Sequence, residues 1–233
     1  MLYLVMTCST RAPAVKAPTR AASPTPRRNA LIDLRNAFAG LPEPADISLP
    51  FNRLVQELLS RVTDPVVMAY ALTLLDGDDP SRHPTALRYM GGGHADILLS
   101  NHDYAFWPAV WGARALQYVW TPVQAAEATR LVVRHLGDDR WRLAEMCAKV
   151  VRKRELGEGA DAVAKLTGHR LPRVRMEAVR ALGAVGETEH LPLIHSALQD
   201  PDKDVRRAAV KSMQQRADRL DLDLDELLAG RFR

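Results

Sequence analysis

The sequence predicts an all-α fold, a right-handed α-solenoid of about five stacked helical pairs behind a disordered N-terminal tail. Three observations lead there. The chain repeats itself at an interval of 31 residues, and within each copy the apolar residues recur with helical spacing. Its 233 residues are 47% hydrophobic, enough to bury a full-sized core, and two cysteines exclude a disulfide-stapled miniprotein. The charge is also unevenly spread. Residues 1–32 hold Arg11, Lys16, Arg20, Arg27 and Arg28 and no acid, so the remaining 27 cations face 28 acids and the formal +4 belongs to the tail.

Residues 1–30 are expected to be the disordered arm. After the apolar MLYLVM, the stretch from Thr7 to Asn29 is Ala, Pro, Thr, Ser and Arg, which cannot offset its own ordering entropy. Six apolar residues are too few for a signal-peptide core, no basic residue precedes them, and Cys8 lacks a lipoprotein-site context. Met1 and Met6 are both possible starts. No run reaches 18 apolar residues, so no spanning helix is expected and the chain reads as cytoplasmic. Residues 31–49 supply a short helix, LIDLRNAFA, and the proline-rich linker LPEPADISLP.

The solenoid is expected over residues 50–220. FNRLVQELLSRV, residues 51–62, forms the first helix, and Asp64-Pro65 reads as an N-cap followed by proline at the first helical position. The helix that follows carries Val67, Ala71 and Leu75 on one face. Residues 91–93, GGG, read as a flexible break. They lack the preceding strand and the Gly-Lys-Ser/Thr of a phosphate loop. Residues 95–100 and about 104–120 form the next pair, with Trp111, Ala115 and Val119 at the marked positions.

From residue 129 the register is regular. Segments 142–151, 173–182 and 204–213 align at 31 residues, with Leu143, Val174 and Val205 at the first marked site. Cys147, Ala178 and Ala209 stand four residues on, and Val151, Leu182 and Met213 eight residues on. The partner helices at 129–138, 160–169 and 191–200 align through Val132, Val163 and Ile194. Residues 221–233 contain LDLDELLAG, a capping helix that a stack needs over its last apolar face.

With DPDKDVRRAAV at 200–210, RVRMEAVRALG at 173–183 and the link GETEHLPL at 186–193, the chain resembles the HEAT-repeat superfamily. Within it, the likeness is to the short bilin-lyase-like repeats of small bacterial proteins. It covers residues 129–213 well and residues 50–120 loosely, and the 31-residue interval matches a compact variant rather than the usual 40 to 47. The resemblance implies a curved stack whose second helices line the concave side. It implies little about activity.

Six residues past each first marked site stand Lys149, Arg180 and Lys211, a basic row expected along the groove and diluted by Glu145 and Glu177. The family pattern further implies an arginine after the first marked residue facing an aspartate of the preceding turn. Here that suggests a ladder of Arg175 and Arg206 with Asp202 and Asp204. Residues 104–120 hold six of the thirteen aromatics, and Trp107, Trp111 and Trp141 are the candidate apolar anchors.

No repeat supplies a convincing catalytic set, and no metal or cofactor is expected. His83, His94, Asp96, His102 and Asp103 are the only metal-like group, without the His-Glu pairs of di-iron HEAT-repeat hydroxylases. The reading is a non-enzymatic protein-interaction scaffold or adaptor that grips an acidic or amphipathic partner segment. The alternative is a nucleic-acid binder related to HEAT-like alkylpurine DNA glycosylases, with Asp103, Asp138 or Asp139 as the candidate acid. A lyase or chaperone for a bound chromophore rests on fold analogy alone.

Overall fold

The computed structural model describes residues 32–100 and 106–232. The expectations for the basic arm, Cys8, His102 and Asp103 fall outside the described residues. Thirteen α-helices and no strand occur among the described residues. They are α1 (Leu34–Ala37), α2 (Phe51–Arg61), α3 (Asp64–Asp76), α4 (Pro84–Gly91), α5 (Gly93–Ser100), α6 (Trp107–Ala115) and α7 (Ala125–His135). There follow α8 (Trp141–Arg154), α9 (Ala160–Leu166), α10 (Pro172–Val185), α11 (Leu191–Ser196), α12 (Lys203–Leu220) and α13 (Leu224–Leu228).

Local chemistry explains where these helices begin. The Asp33, Asp202 and Asp223 carboxylates accept hydrogen bonds from the free backbone N–H groups that open α1, α12 and α13. Proline occupies the first turn of α3, α4, α6, α10 and α11, where its missing N–H costs nothing. Thr63, rather than Asp64, is the cap position of α3, so that helix starts one residue earlier than the Asp-Pro signal implied. Helix α4 was not anticipated. Its signal was present in Pro84 at the start and in the apolar pattern Ala86, Leu87, Tyr89, Met90.

Helices α3, α6, α8, α10 and α12 pack side by side as one continuous layer, while α7, α9 and α11 pack on α8, α10 and α12. This makes an all-helical solenoid of helical pairs. Every marked position of the three regular repeats is fully buried: Leu143, Cys147, Val151, Val174, Ala178, Leu182, Val205, Ala209 and Met213 are 0% exposed, as are Val132, Val163 and Ile194. The fainter copies follow, with Val67, Ala71, Leu75, Ala115 and Val119 all at 2% or less and Trp111 at 7%. Burying one such large side chain stabilises by roughly 1.5 to 3 kcal/mol, so the repeated face outweighs any single polar contact.

Two close approaches set the layer. A Cβ at Gly112 of α6 would collide with the Ala71 carbonyl oxygen of α3 and lie 3.0 Å from the Leu75 nitrogen, so only glycine lets these backbones meet. Further along, Arg216 of α12 is fully buried and donates to the carbonyls of Gly186 and Ala184, closing the C-terminal end of α10. Residues 91–93 form a defined junction rather than a loose break. Gly92 sits at φ +56° between α4 and α5, and a Cβ there would lie 2.8 Å from the Ile47 carbonyl oxygen.

Candidate partner-binding face

The outward face of the second-helix layer carries the expected basic residues, and the structure shows what holds them. Glu145 and Glu177 are 1% exposed on α8 and α10. Glu145 takes Lys149 at 2.8 Å, Arg173 of α10 at 3.0 Å and Arg142 at 3.5 Å. Glu177 takes Arg152 of α8 at 2.7 Å and Arg180 at 3.6 Å. Five cations on two carboxylates leave a local charge of +3.

Exposure divides the work between these groups. The carboxylates are 1 to 2% exposed, whereas the five cationic side chains range from 26 to 47%. The acids therefore act as buried anchors. Arg and Lys carry five and three N–H donors, so each cation keeps free donors toward solvent after pairing. Burial pushes the Glu145 carboxyl up, but the hydrogen bonds and charges of Lys149 and Arg173 outweigh that and hold it below the usual carboxylate range. One oxygen of Glu145 is buried without a hydrogen-bond partner. Lys211 is exposed on α12, and no described acid pairs with it.

The arginines and aspartates of the expected ladder are arranged differently. The Arg175 guanidinium pairs in bidentate fashion with Asp200 of the next repeat, Nε and Nη2 both at 2.7 Å from its oxygens. Arg206 meets neither Asp202 nor Asp204. It donates to the Asp200 and Pro201 carbonyls, the same contact that Arg175 makes 31 residues earlier with the His169 and Arg170 carbonyls. Asp202 caps α12 and Asp204 pairs with Arg207 at 3.2 Å, so both are occupied by local backbone and side-chain partners. The ladder is one rung, from Arg175 to Asp200.

The three tryptophans have distinct places. Trp141 is half-buried, with the guanidinium carbons of Arg142 and Arg173 4.3 and 5.0 Å from its ring centroid. Those two arginines occupy the same repeat position, 31 residues apart. Trp107, half-buried, and Trp111 line one side of a cavity of about 850 Å³ formed with Phe51, Met90, the three glycines 91–93, Ile97 and Arg114. Trp111 is mostly core, because its ring packs where a Cβ on Gly91 would stand.

Other candidate groups are engaged elsewhere. His83 sits edge-on to Phe38 and Tyr70, and Asp96 pairs with Arg88 at 2.7 Å. No cluster of three metal-ligating side chains occurs among the described residues. Asp138, beside Trp141 in sequence, is held at about 2 by hydrogen bonds from Arg140 against its ordinary 3.8. The Cys147 thiol is fully buried and its pKa is pushed far up by that burial, so it packs rather than reacts. Arg114, Arg142, Arg152 and Arg173 were missed from the sequence. Only Arg142 and Arg173 left a signal, in their shared repeat position.

Comparison with known proteins agrees with this construction. The family model of HEAT repeats matches residues 159–230, from the turn before α9 to the end of α13, without naming a subtype. A crystal structure of an engineered protein from the Northeast Structural Genomics Consortium is similar over 85% of this chain and 60% of its own, at TM-score 0.52 and 13% identity. A second engineered protein from the same consortium covers 72% of this chain and 79% of its own, at TM-score 0.41 and 18% identity. No curated protein matches. No helix among the described residues is long and apolar enough to cross a membrane. With helical pairs repeating at 31 residues and their marked positions buried, the chain is an all-helical repeat protein whose residues 159–230 match the HEAT-repeat family.

Proposed function

We propose that this chain is a non-enzymatic scaffold or adaptor that holds an acidic or amphipathic segment of a partner protein along its second-helix layer. The observation that supports this reading best is the set of five half-exposed cations seated on two buried carboxylates across α8 and α10. The buried acids fix the cations in place, so little side-chain entropy remains to be lost when a ligand carboxylate arrives. The residual +3 favours an acidic ligand in approach and in register. Trp141, with two guanidiniums 4.3 and 5.0 Å from its ring centroid, offers an amphipathic anchor beside them.

The test uses a fluorescein-labelled peptide of alternating Glu and Gly, read by anisotropy at low salt. The variant Arg173→Gln, Arg180→Gln, Lys211→Glu leaves Lys149 on Glu145 and Arg152 on Glu177, and should lose at least tenfold in affinity while its circular-dichroism melt stays near the wild type. Unchanged affinity would remove the reading.

A nucleic-acid reading draws on the same cations and on the half-buried Trp141 ring as a stacking surface. Asp138 is held by two hydrogen bonds from the Arg140 guanidinium, which weighs against it as the catalytic acid of that reading. It predicts that single-stranded DNA binds residues 45–233 with a steep salt slope, whereas the scaffold reading predicts preference for the acidic peptide.

A further inference from the structure

Resting on that reading, we infer that the bound segment carries one bulky apolar residue seated in the cavity between α2, α5 and α6, with its acidic residues lying to one side of that anchor only. The cavity has the size of a ligand pocket and an apolar lining that includes Phe51, Ile97, Trp107 and Trp111. No acid is among its described lining residues, and His94 and Arg114 are the only ionisable ones. Ile47, Leu49 and Ile97, three of the seven exposed large hydrophobic residues among those described, border it with exposures of 37, 37 and 52%. Scattered single apolar residues are ordinary on a surface, but three on the rim of one cavity mark a binding place.

A traceable path joins the cavity to the cations. Trp107, Trp111, Arg114 and Tyr118 follow at helical spacing along one stripe running through and just past α6. The Arg114 guanidinium lies 4.3 Å from the Phe51 ring centroid, and no described acid pairs with it. Lys153 of α8 stands 5.1 Å over the Tyr118 ring, carrying the positive stripe to the next helix. One turn back on α8 is Lys149, and Glu145 then links Lys149 to Arg173 of α10. On the opposite side of the cavity the arginine of α4, Arg88, is held by both Glu43 and Asp96. Between α4 and α10, the cations without an acid partner among the described residues therefore lie on the α6 and α8 side of the anchor.

Helix spacing sets the length of the segment. Neighbouring helices pack roughly 8 to 10 Å apart, so α6 to α10 spans roughly 16 to 20 Å, which an extended chain at about 3.3 Å per residue crosses in about five or six residues. The first acid meets Arg114 beside the anchor, and the last reaches Arg173 or Arg152 about six residues away.

Three fluorescein-labelled synthetic ten-residue peptides test this against the full chain. One has a leucine with four glutamates in the six residues on one side, one replaces that leucine by serine, and one splits the glutamates evenly around the leucine. The first should bind at least tenfold tighter than the other two. Gly93 lines the cavity and a Cβ on it meets nothing within 4 Å, so Gly93→Leu introduces an apolar side chain there that starts into open space. It should erase the leucine-serine gap and leave the serine peptide unchanged. Ile97→Gln, a neutral change at an exposed position, should do the same if Gly93→Leu proves unstable. Equal affinity for leucine and serine peptides, or a gap untouched by both variants, overturns the anchor. A split peptide as tight as the first overturns the one-sided arrangement. The scaffold reading survives those outcomes provided Arg173→Gln with Arg180→Gln, which leaves each buried carboxylate at least one cation, still weakens every peptide, and falls with the anchor if it does not.

Discussion

The last three helical pairs and the first two share the same buried positions but differ in how they fill the space around them. In α7 to α12 the marked sites are small aliphatic side chains and Met213, the layer closes, and charged groups link one repeat to the next through Glu145, Glu177 and the pair Arg175–Asp200. In α2 to α6 the same register places Trp111 at a marked site with its ring over Gly91, inserts the extra helix α4, and brings backbones into contact at Gly92 and Gly112. The bulky ring and the short α4–α5 joint cannot close the layer, and an apolar cavity is left. Regular repetition thus spends its polar residues on inter-repeat pairing, while irregularity creates a concave place for an apolar guest.

Perturbing each half separately sharpens that contrast. Gly112→Val should have the largest effect, a loss of about 3 kcal/mol or more, because the added carbons meet the α3 backbone, which cannot give way. Thermal melts followed by circular dichroism would register it, and a near-wild-type melt would mean that α3 and α6 pack more loosely than described. Glu145→Gln should cost about 2 kcal/mol, less than breaking a fully buried pair because its cations remain half-exposed. The same change raises the local charge from +3 to +4, so acidic-peptide affinity should rise as stability falls. A fall in both would show that Glu145 shapes the face rather than merely balancing it.

The acid limb of stability tests the α7–α8 turn. Asp138 has a folded-state pKa of about 2, below its ordinary 3.8, so its contribution is full above about pH 4 and is lost as pH falls toward 2. Arg140 makes the leading contribution to that shift. Urea melts of Asp138→Asn should show about 1 to 2 kcal/mol less stability than wild type at pH 6 and a smaller gap at pH 2.5. Gly183→Ala should cost about 1 to 2 kcal/mol, since the added Cβ would lie 2.7 Å from the Ser212 Cβ and 3.0 Å from its Cα, so α12 itself must shift and turning the hydroxyl is not enough. Its ratio to the Gly112 effect compares the closeness of α10 and α12 in the regular half with that of α3 and α6.

Legibility in the sequence divided along the same line. The faces of α8, α10 and α12 were readable because burial at i, i+4 and i+8 depends on one helix and its nearest neighbour, and both recur every 31 residues. Lys149, Arg180, Trp107 and Trp141 could be placed on the outward face for the same reason. Helix α4 was lost because its glycine-rich end hid a helix behind a loop composition. Asp200 was overlooked as the partner of Arg175 because that pair crosses from one repeat to the next, 25 residues apart.

The sequence by itself determined the helices of the regular repeats, the register of their stacking and the apolar face each one buries, since those follow from periodicity and local backbone chemistry. Only the tertiary structure decided which charges meet, because Arg173 reaches Glu145 and Arg152 reaches Glu177 across two packed helices at separations that match no repeat interval. It also decided that Trp107 and Trp111 border open space, since a cavity arises from the failure of neighbouring elements to fill a volume, and no single segment carries that information.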